Sequence, residues 1–278
     1  MKIPVKIIEP RKGFKNINFS ELFSYRDLLM FMVLREIKVL YKQTILGFSW
    51  AIIRPLFSMI IFSLIFGKLA KIDSNGIPYP LFSYMALVPW VYFSTAITKS
   101  TQSLINSSAM LSKVYFPRLI IPFTPILSGL VDFIISLIIV FVLMFWYGIK
   151  LNAQIIIVPY LIFIMIITSS GIGMWLSAMA IQYRDIRHGI QFLAQLLMYA
   201  APVVWPSTLL IEKFGNQAYL WYSLYPMVGV IEGFRASFLG FSPIPWDSIL
   251  IGSISAIVIF FSGVVYFNQK EKLFADVC

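Results

Sequence analysis

Apolar runs long enough to cross a lipid bilayer recur at about 50–69, 81–98, 119–147, 155–181, 190–210 and 247–267, and nothing else limits this chain's folding options as strictly. A helix needs about 20 apolar residues to traverse roughly 30 Å of hydrocarbon. Inside that layer every backbone N–H and C=O must be satisfied within the segment, which selects helices for runs of this length. The chain has 278 residues, 59% hydrophobic and 12% charged, whereas soluble domains carry about 25% charged residues. The sequence therefore predicts an all-α integral membrane protein with six transmembrane helices. An even number of crossings places both termini on one side.

Basic residues choose that side, because Lys and Arg flanking spanning helices are retained in the cytoplasm. One set of flanks holds Lys2, Lys6, Arg11, Lys12, Lys15, Arg26, Arg35, Lys38 and Lys42, then Lys99, Lys113, Arg118, Arg184, Arg187, Lys270 and Lys272. The opposite set holds only Lys68, Lys71, Lys150, Lys213 and Arg235, with Arg54 at the entrance of the first run. Both termini are thus expected in the cytoplasm. Residues 1–23 read as a cytoplasmic N-terminal segment, 24–47 as an amphipathic interface helix, 48–270 as the six-helix transmembrane domain and 271–278 as a cytoplasmic tail. The first 20 residues lack the apolar core of a cleavable signal peptide, so targeting is expected from the first crossing.

Ser24 and Asp27 fit a capping box that starts the interface helix. At about 100° per residue, Leu29, Val33, Ile37 and Leu40 share one stripe, with Arg35, Lys38 and Lys42 opposite. Such a helix suits the membrane surface, apolar stripe toward lipid. The third run opens with Pro117, Pro122 and Pro125, which predicts bent first turns. Between the fifth and sixth crossings, Ile211 to Trp246 is too polar and proline-punctuated for two more spans. Short helices dipping into the outer interface are expected there, with aromatic residues at home.

The chemistry that is missing narrows the function. Cys278 is the single cysteine and His188 the single histidine, which excludes an intrachain disulfide and leaves no cysteine cluster or histidine-based triad. Phosphate-binding loops have the form GxxxxGK[ST]; here Gly67-Lys68 is followed by Leu69, and Phe62 stands where the first glycine belongs. The net charge of +10 is spread between apolar runs, unlike the continuous basic patch of a nucleic-acid-binding protein. The acidic residues form no constellation for glycosyl transfer, and ion-coupled carriers place several ionisable groups within the bilayer. Only Asp132 lies deep in a crossing. It reads either as a polar position on a translocation path or as a packing contact hydrogen-bonded to Ser128, Ser136 or a neighbouring helix. A conduit without its own ATP site points to a membrane subunit driven by a separate cytoplasmic ATPase, with no cofactor and no metal site in this chain and no catalytic residue.

Four stretches carry a family resemblance. Tyr41-Lys42-Gln43-Thr44-Ile45-Leu46-Gly47 runs through Trp50 to Arg54-Pro55-Leu56. Lys113-Val114-Tyr115-Phe116-Pro117-Arg118 is followed by Ile121-Pro122. Arg184-Asp185-Ile186-Arg187 follows the fourth crossing, and Tyr225-Pro226-Met227 precedes Glu232-Gly233-Phe234-Arg235. In this order and spacing they resemble the permease subunit of ABC-type polysaccharide exporters, the family that moves lipid-linked O-antigen and related glycans; the family commonly has Asn where Tyr225 stands.

The resemblance implies a homodimer enclosing a channel in the bacterial inner membrane, above two copies of an ATPase that holds ATP and magnesium. It implies processive export of a lipid-linked polysaccharide, of O-antigen type, with teichoic acid or capsular polysaccharide as close alternatives and a drug or small-lipid exporter as a more distant one. The ATPase-coupling surface would comprise Arg35, Lys38, Lys42, Lys113, Arg118, Arg184, Asp185 and Arg187. Attraction of the helix cations to anionic headgroups is an equally simple use for them, and Arg184, Asp185 and Arg187 also suit a structural clamp. Arg54 must snorkel, pair or face water; in a channel it would meet the pyrophosphate of a lipid carrier. Trp50, Tyr84, Asp132 and Tyr199 complete the channel candidates, aromatic faces being suited to stacking on sugars. Tyr225, Pro226, Glu232 and Arg235 mark an outer gate, where Glu232 and Arg235 are spaced for an i, i+3 salt bridge.

Overall fold

The structure, a computed structural model, describes residues 23–42, 47, 49–74, 76–111 and 113–271. Among them are ten α-helices and no strand. Helix α1 (Arg26–Lys42) is followed by a turn at Gly47, whose φ of 44° favours a residue without Cβ. Helix α2 (Ser49–Phe62) passes into a π-helical segment, Ser63–Leu69. Then come α3 (Tyr79–Asn106), the short α4 (Ser108–Leu111) and α5 (Ile120–Trp146). A 3-10 turn, Ala153–Ile157, leads into α6 (Val158–Gln182), and α7 (Arg184–Ala200) follows at once. Helices α8 (Thr208–Tyr222), α9 (Pro226–Leu239) and α10 (Trp246–Lys270) complete the chain.

Five segments are long and apolar enough to cross a membrane: Ser49–Leu69, Tyr79–Asn106, Ile120–Trp146, Ala153–Gln182 and Trp246–Lys270. The expected sixth, at 190–210, meets neither criterion. Its helix α7 has 17 residues and carries Arg184, Asp185, Arg187, His188, Gln191 and Gln195. Two short helices, α8 and α9, occupy the stretch expected to hold them.

Helix α3 is the least apolar of the five and the most enclosed; α2, α5, α6, α7 and α9 all pack against it. Its polarity is compatible with burial because the hydroxyls find carbonyls: Thr101 Oγ1 donates to Ile97 O at 2.7 Å, and Ser100 Oγ to Pro122 O of α5 at 3.0 Å. Helix α2 and the π-helical segment, by contrast, turn Phe57, Ile60, Ile61, Leu64 and Ile65 outward, as a lipid-facing span does. Helices α6 and α10 cross so closely that a Cβ on Gly263 would lie 2.3 Å from Gly171 O. Helix α5 is continuous from Ile120 through Pro125; Pro122 sits in the first turn, where its missing N–H has no intrahelical partner to lose, while Pro125 lies inside the helix.

The bundle has two distinguishable ends. Met32, Leu104, Phe116, Ile120, Ile181 and Phe267 share one apolar cluster, which brings the start of α1 and the end of α10 together. Arg118 Nη1 donates to Glu271 O at this end, and Lys113, Arg184, Arg187 and Lys270 lie on the adjoining turns. Helix α7 leaves this basic end, and its exit turn reaches the other, where Tyr79 Oη donates to Val204 O at 2.6 Å.

The apolar stripe of α1 meets protein. Val33 is buried, Leu29, Ile37 and Leu40 are half-buried, and the helix packs along α5. Met30, Phe31, Leu34 and Val39 are exposed instead, interleaved with Arg35, Lys38 and Lys42.

Candidate functional site

The end opposite the basic one contains the most enclosed charges among the described residues. Helix α9 has 14 residues, about 21 Å at 1.5 Å per residue, too short to cross about 30 Å of hydrocarbon. Pro226 fixes its first turn, Tyr225 caps it with extended backbone, and Gly240 closes it in the left-handed region at φ 67°. Every residue from Pro226 to Leu239 except Glu232 is buried, against α3, α6 and α10.

Glu232 and Arg235 form the expected i, i+3 pair, Nη1 to Oε1 at 3.1 Å. The pair is enclosed: the side chains are 4% exposed for Arg235 and 15% for Glu232. Arg235 Nη2 also donates to Val203 O at 2.9 Å, Nε reaches Phe82 O at 3.4 Å, and the guanidinium lies 3.6 Å from the Phe82 ring centroid. Glu232 Oε1 accepts the Ser207 N–H at 3.1 Å. One ion pair therefore joins α3, the turn after α7, the start of α8, and α9. Its enclosed charges avoid the full desolvation cost because each of the three guanidinium nitrogens donates and Glu232 Oε1 accepts twice.

The aromatic surroundings divide between enclosed and open. Tyr84 is fully buried within the protomer, its hydroxyl 3.4 Å from Ser136 O. Tyr199 is exposed on the last turn of α7. Beside it Trp205 stacks on Tyr222 at 5.7 Å, and Tyr222 Oη donates to Ala200 O at 2.6 Å. Trp50 and Arg54 are both exposed on α2, with the guanidinium 5.6 Å from the Trp50 ring centroid. These two occupy a different helix from Tyr199, and the structure does not bring them together with it.

Asp132 lies on α5, where its carboxylate accepts a hydrogen bond from Tyr41 Oη of α1. Burial and the carboxylate together push the Tyr41 hydroxyl well above the usual tyrosine range. Ser136 Oγ donates at 2.9 Å both to Asp132 O and to Ala51 O of α2.

Arg35, Lys38, Lys42, Lys113, Arg184 and Asp185 are exposed, the first three on α1 as it rises along α5 and the others at the basic end, where Arg118 and Arg187 are half-buried. Arg187 Nε donates to Ala180 O at 3.1 Å, tying the start of α7 to the end of α6. A cleft of about 290 Å³ between α3 and α7 is lined by Gln102, Ile105, Asn106, Arg187, His188 and Gln191. Gln43 to Leu46 of the first motif lie outside the described residues. Among the described residues no group of three or more His, Cys, Asp or Glu gathers as metal ligands would.

Sequence reasoning missed Glu36, Tyr79, Phe82 and Ser207. Glu36 had a signal: it follows Val33 by three positions and precedes Leu40 by four, so it lies within the apolar stripe. Burial raises its carboxyl pKa, opposed by Lys99 of α3, the Ser128 hydroxyl of α5 and Arg35. Ser207 had no such signal, because it meets the ion pair through its backbone N–H.

Five helical segments long and apolar enough to cross a membrane mark a multi-pass membrane protein. The family model of the ABC-2 type transporter matches residues 27–239, and the chain belongs to that family. It is 26% identical over 257 residues to an O-antigen export system permease protein RfbA of Myxococcus xanthus, covering 92% of this chain and 97% of that protein. An O-antigen export system permease protein RfbA of Klebsiella pneumoniae is 26% identical over 262 residues, covering 94% of this chain and 97% of its own length.

Proposed function

We propose that this chain is the channel-forming permease of an ATP-driven exporter that carries a lipid-linked polysaccharide of O-antigen type across the bacterial inner membrane. The observation that carries the reading is the full-length similarity to O-antigen export permeases, spanning 92% of this chain and 97% of the relative. The architecture supports it. Exposed cations on α1, the α4–α5 loop and the start of α7 offer a cytoplasmic ATPase a broad basic surface, with both chain ends in the cytoplasm. We read α7 as the sixth crossing, on the support that it leaves the basic end and that its exit turn meets Tyr79 at the other. A helix with this many polar positions belongs beside water, on the wall of a channel completed by a second copy. Trp50, Arg54 and Tyr199 are exposed and available to such a wall; α8 and α9 form its outer gate.

Deletion of the gene tests the proposal. The expected result is loss of the surface polysaccharide with accumulation of lipid-linked polymer inside the cell, both reversed by the gene in trans. Normal surface polysaccharide in the deletant would overturn it.

A further inference from the structure

Helix α1 is fastened to α5 at three successive heights. Met32 shares an apolar cluster with Phe116, Ile120 and Ile121. Glu36, about one turn further on, interacts with Ser128 and Lys99. Tyr41, in the last turn, donates its hydroxyl proton to Asp132. From Ile120 to Asp132 is about 18 Å along α5, and from Met32 to Tyr41 about 14 Å along α1, so α1 climbs beside α5. The same stretch of α5 holds α2, because Ser136 donates to Ala51 O at 2.9 Å. Two helices consecutive in sequence are therefore fixed to one stretch of a third, Asp132 to Ser136, independently of the backbone link between them.

We propose that Tyr41 and Asp132 are positioning residues which make α1, α5 and the start of α2 one mechanical unit. A force applied to the basic face of α1 then reaches the bundle through α5. This inference rests on the reading of the chain as an ATPase-driven permease. A hydrogen bond to a carboxylate in low-dielectric surroundings is directional and strong, which suits a coupling contact. Asp132 thereby has a partner inside the protomer, and its role is to hold α1.

The test uses the permease reconstituted with its partner ATPase in proteoliposomes, alongside complementation of the deletant. Spin labels on Val39→Cys and Ile134→Cys, both exposed in the native chain, are placed in a Cys278→Ser background. Three quantities are read: ATP hydrolysis, surface polysaccharide, and the label distance with and without vanadate-trapped nucleotide. Tyr41→Phe is expected to keep hydrolysis within about twofold, to lower export about fivefold to tenfold, and to broaden the distance distribution, as loss of one such bond dictates. Asp132→Asn, whose amide oxygen still accepts the tyrosine proton, is expected to retain most export; Asp132→Leu is expected to match Tyr41→Phe. Wild-type export and a narrow distance distribution in Tyr41→Phe would overturn the proposal, as would parallel loss of hydrolysis and of complex assembly. If the wild-type complex hydrolyses ATP but moves no polysaccharide, the exporter reading fails, and the distance measurement still decides whether Tyr41 couples the helices.

Discussion

Arg235→Ala removes a guanidinium that is 4% exposed and paired with Glu232 at 3.1 Å, and it leaves the acceptors at Val203 O and Phe82 O without that donor. Glu232 keeps its bond from Ser207 N–H but loses its counter-charge. Removing one member of a buried pair costs about 3–5 kcal/mol, because the charge left behind is uncompensated. At about 2–4 °C per kcal/mol for chains approaching this size, the melting temperature should fall by roughly 6–20 °C. Lysine keeps the charge but has no planar fork to serve carboxylate and carbonyl together, so Arg235→Lys should recover only part of the loss. Glu232→Gln keeps an acceptor for Ser207 and should cost less than Arg235→Ala. Thermal unfolding of the purified protein in nanodiscs, followed by tryptophan fluorescence, ranks the variants. A shift for Arg235→Ala no larger than for an exposed substitution such as Lys213→Ala would refute the view that this pair fastens the outer helices to the bundle.

Gly263→Ala should separate α6 from α10, since the added methyl would meet Gly171 O at 2.3 Å; aggregation on size-exclusion chromatography is the expected sign, and a monodisperse, wild-type-stable protein would refute it. Burial raises the Glu36 pKa, so its ionised form opposes folding and stability should rise as pH falls through the raised value. Glu36→Gln should abolish that dependence, melting at least as high as wild type at about pH 8 and converging with it near pH 4. A markedly lower melting point for Glu36→Gln at the higher pH would mean that attraction to Lys99 outweighs burial. Reversing the charges of Lys38 and Lys42, both exposed, should lower ATPase-driven export without altering membrane insertion; unchanged export would leave these cations to the lipid headgroups.

Much of the membrane architecture was legible because hydrophobic length is a one-dimensional property. The runs at 50–69, 119–147 and 247–267 correspond closely to Ser49–Leu69, Ile120–Trp146 and Trp246–Lys270. The run at 190–210 has no such counterpart, because its helix, α7, is 17 residues long and opens on Arg184, Asp185, Arg187 and His188, so its apolar residues do not add up to a continuous span. The stripe on α1 was legible, but its partner was not: Leu29, Val33, Ile37 and Leu40 look the same in sequence whether they meet lipid or α5. Burial is likewise absent from local spacing. Glu232 and Arg235 announce a pair by their i, i+3 separation, yet the enclosure comes from Phe82 and Val203, far away in the chain. Tyr84 and Tyr199 are chemically alike, and the place of Tyr84 on the enclosed α3 puts it in the core while Tyr199 stands at the surface.

Polymer export driven by a partner ATPase is decided by vectorial transport in the purified complex. Proteoliposomes holding the permease and its ATPase, with lipid-linked polysaccharide supplied on the ATPase side, are given ATP and then an added glycosidase. The expected result is ATP-dependent protection of the polymer within the lumen, absent with a hydrolysis-deficient ATPase. Polymer that stays fully digestible while ATP is consumed would contradict export by this complex.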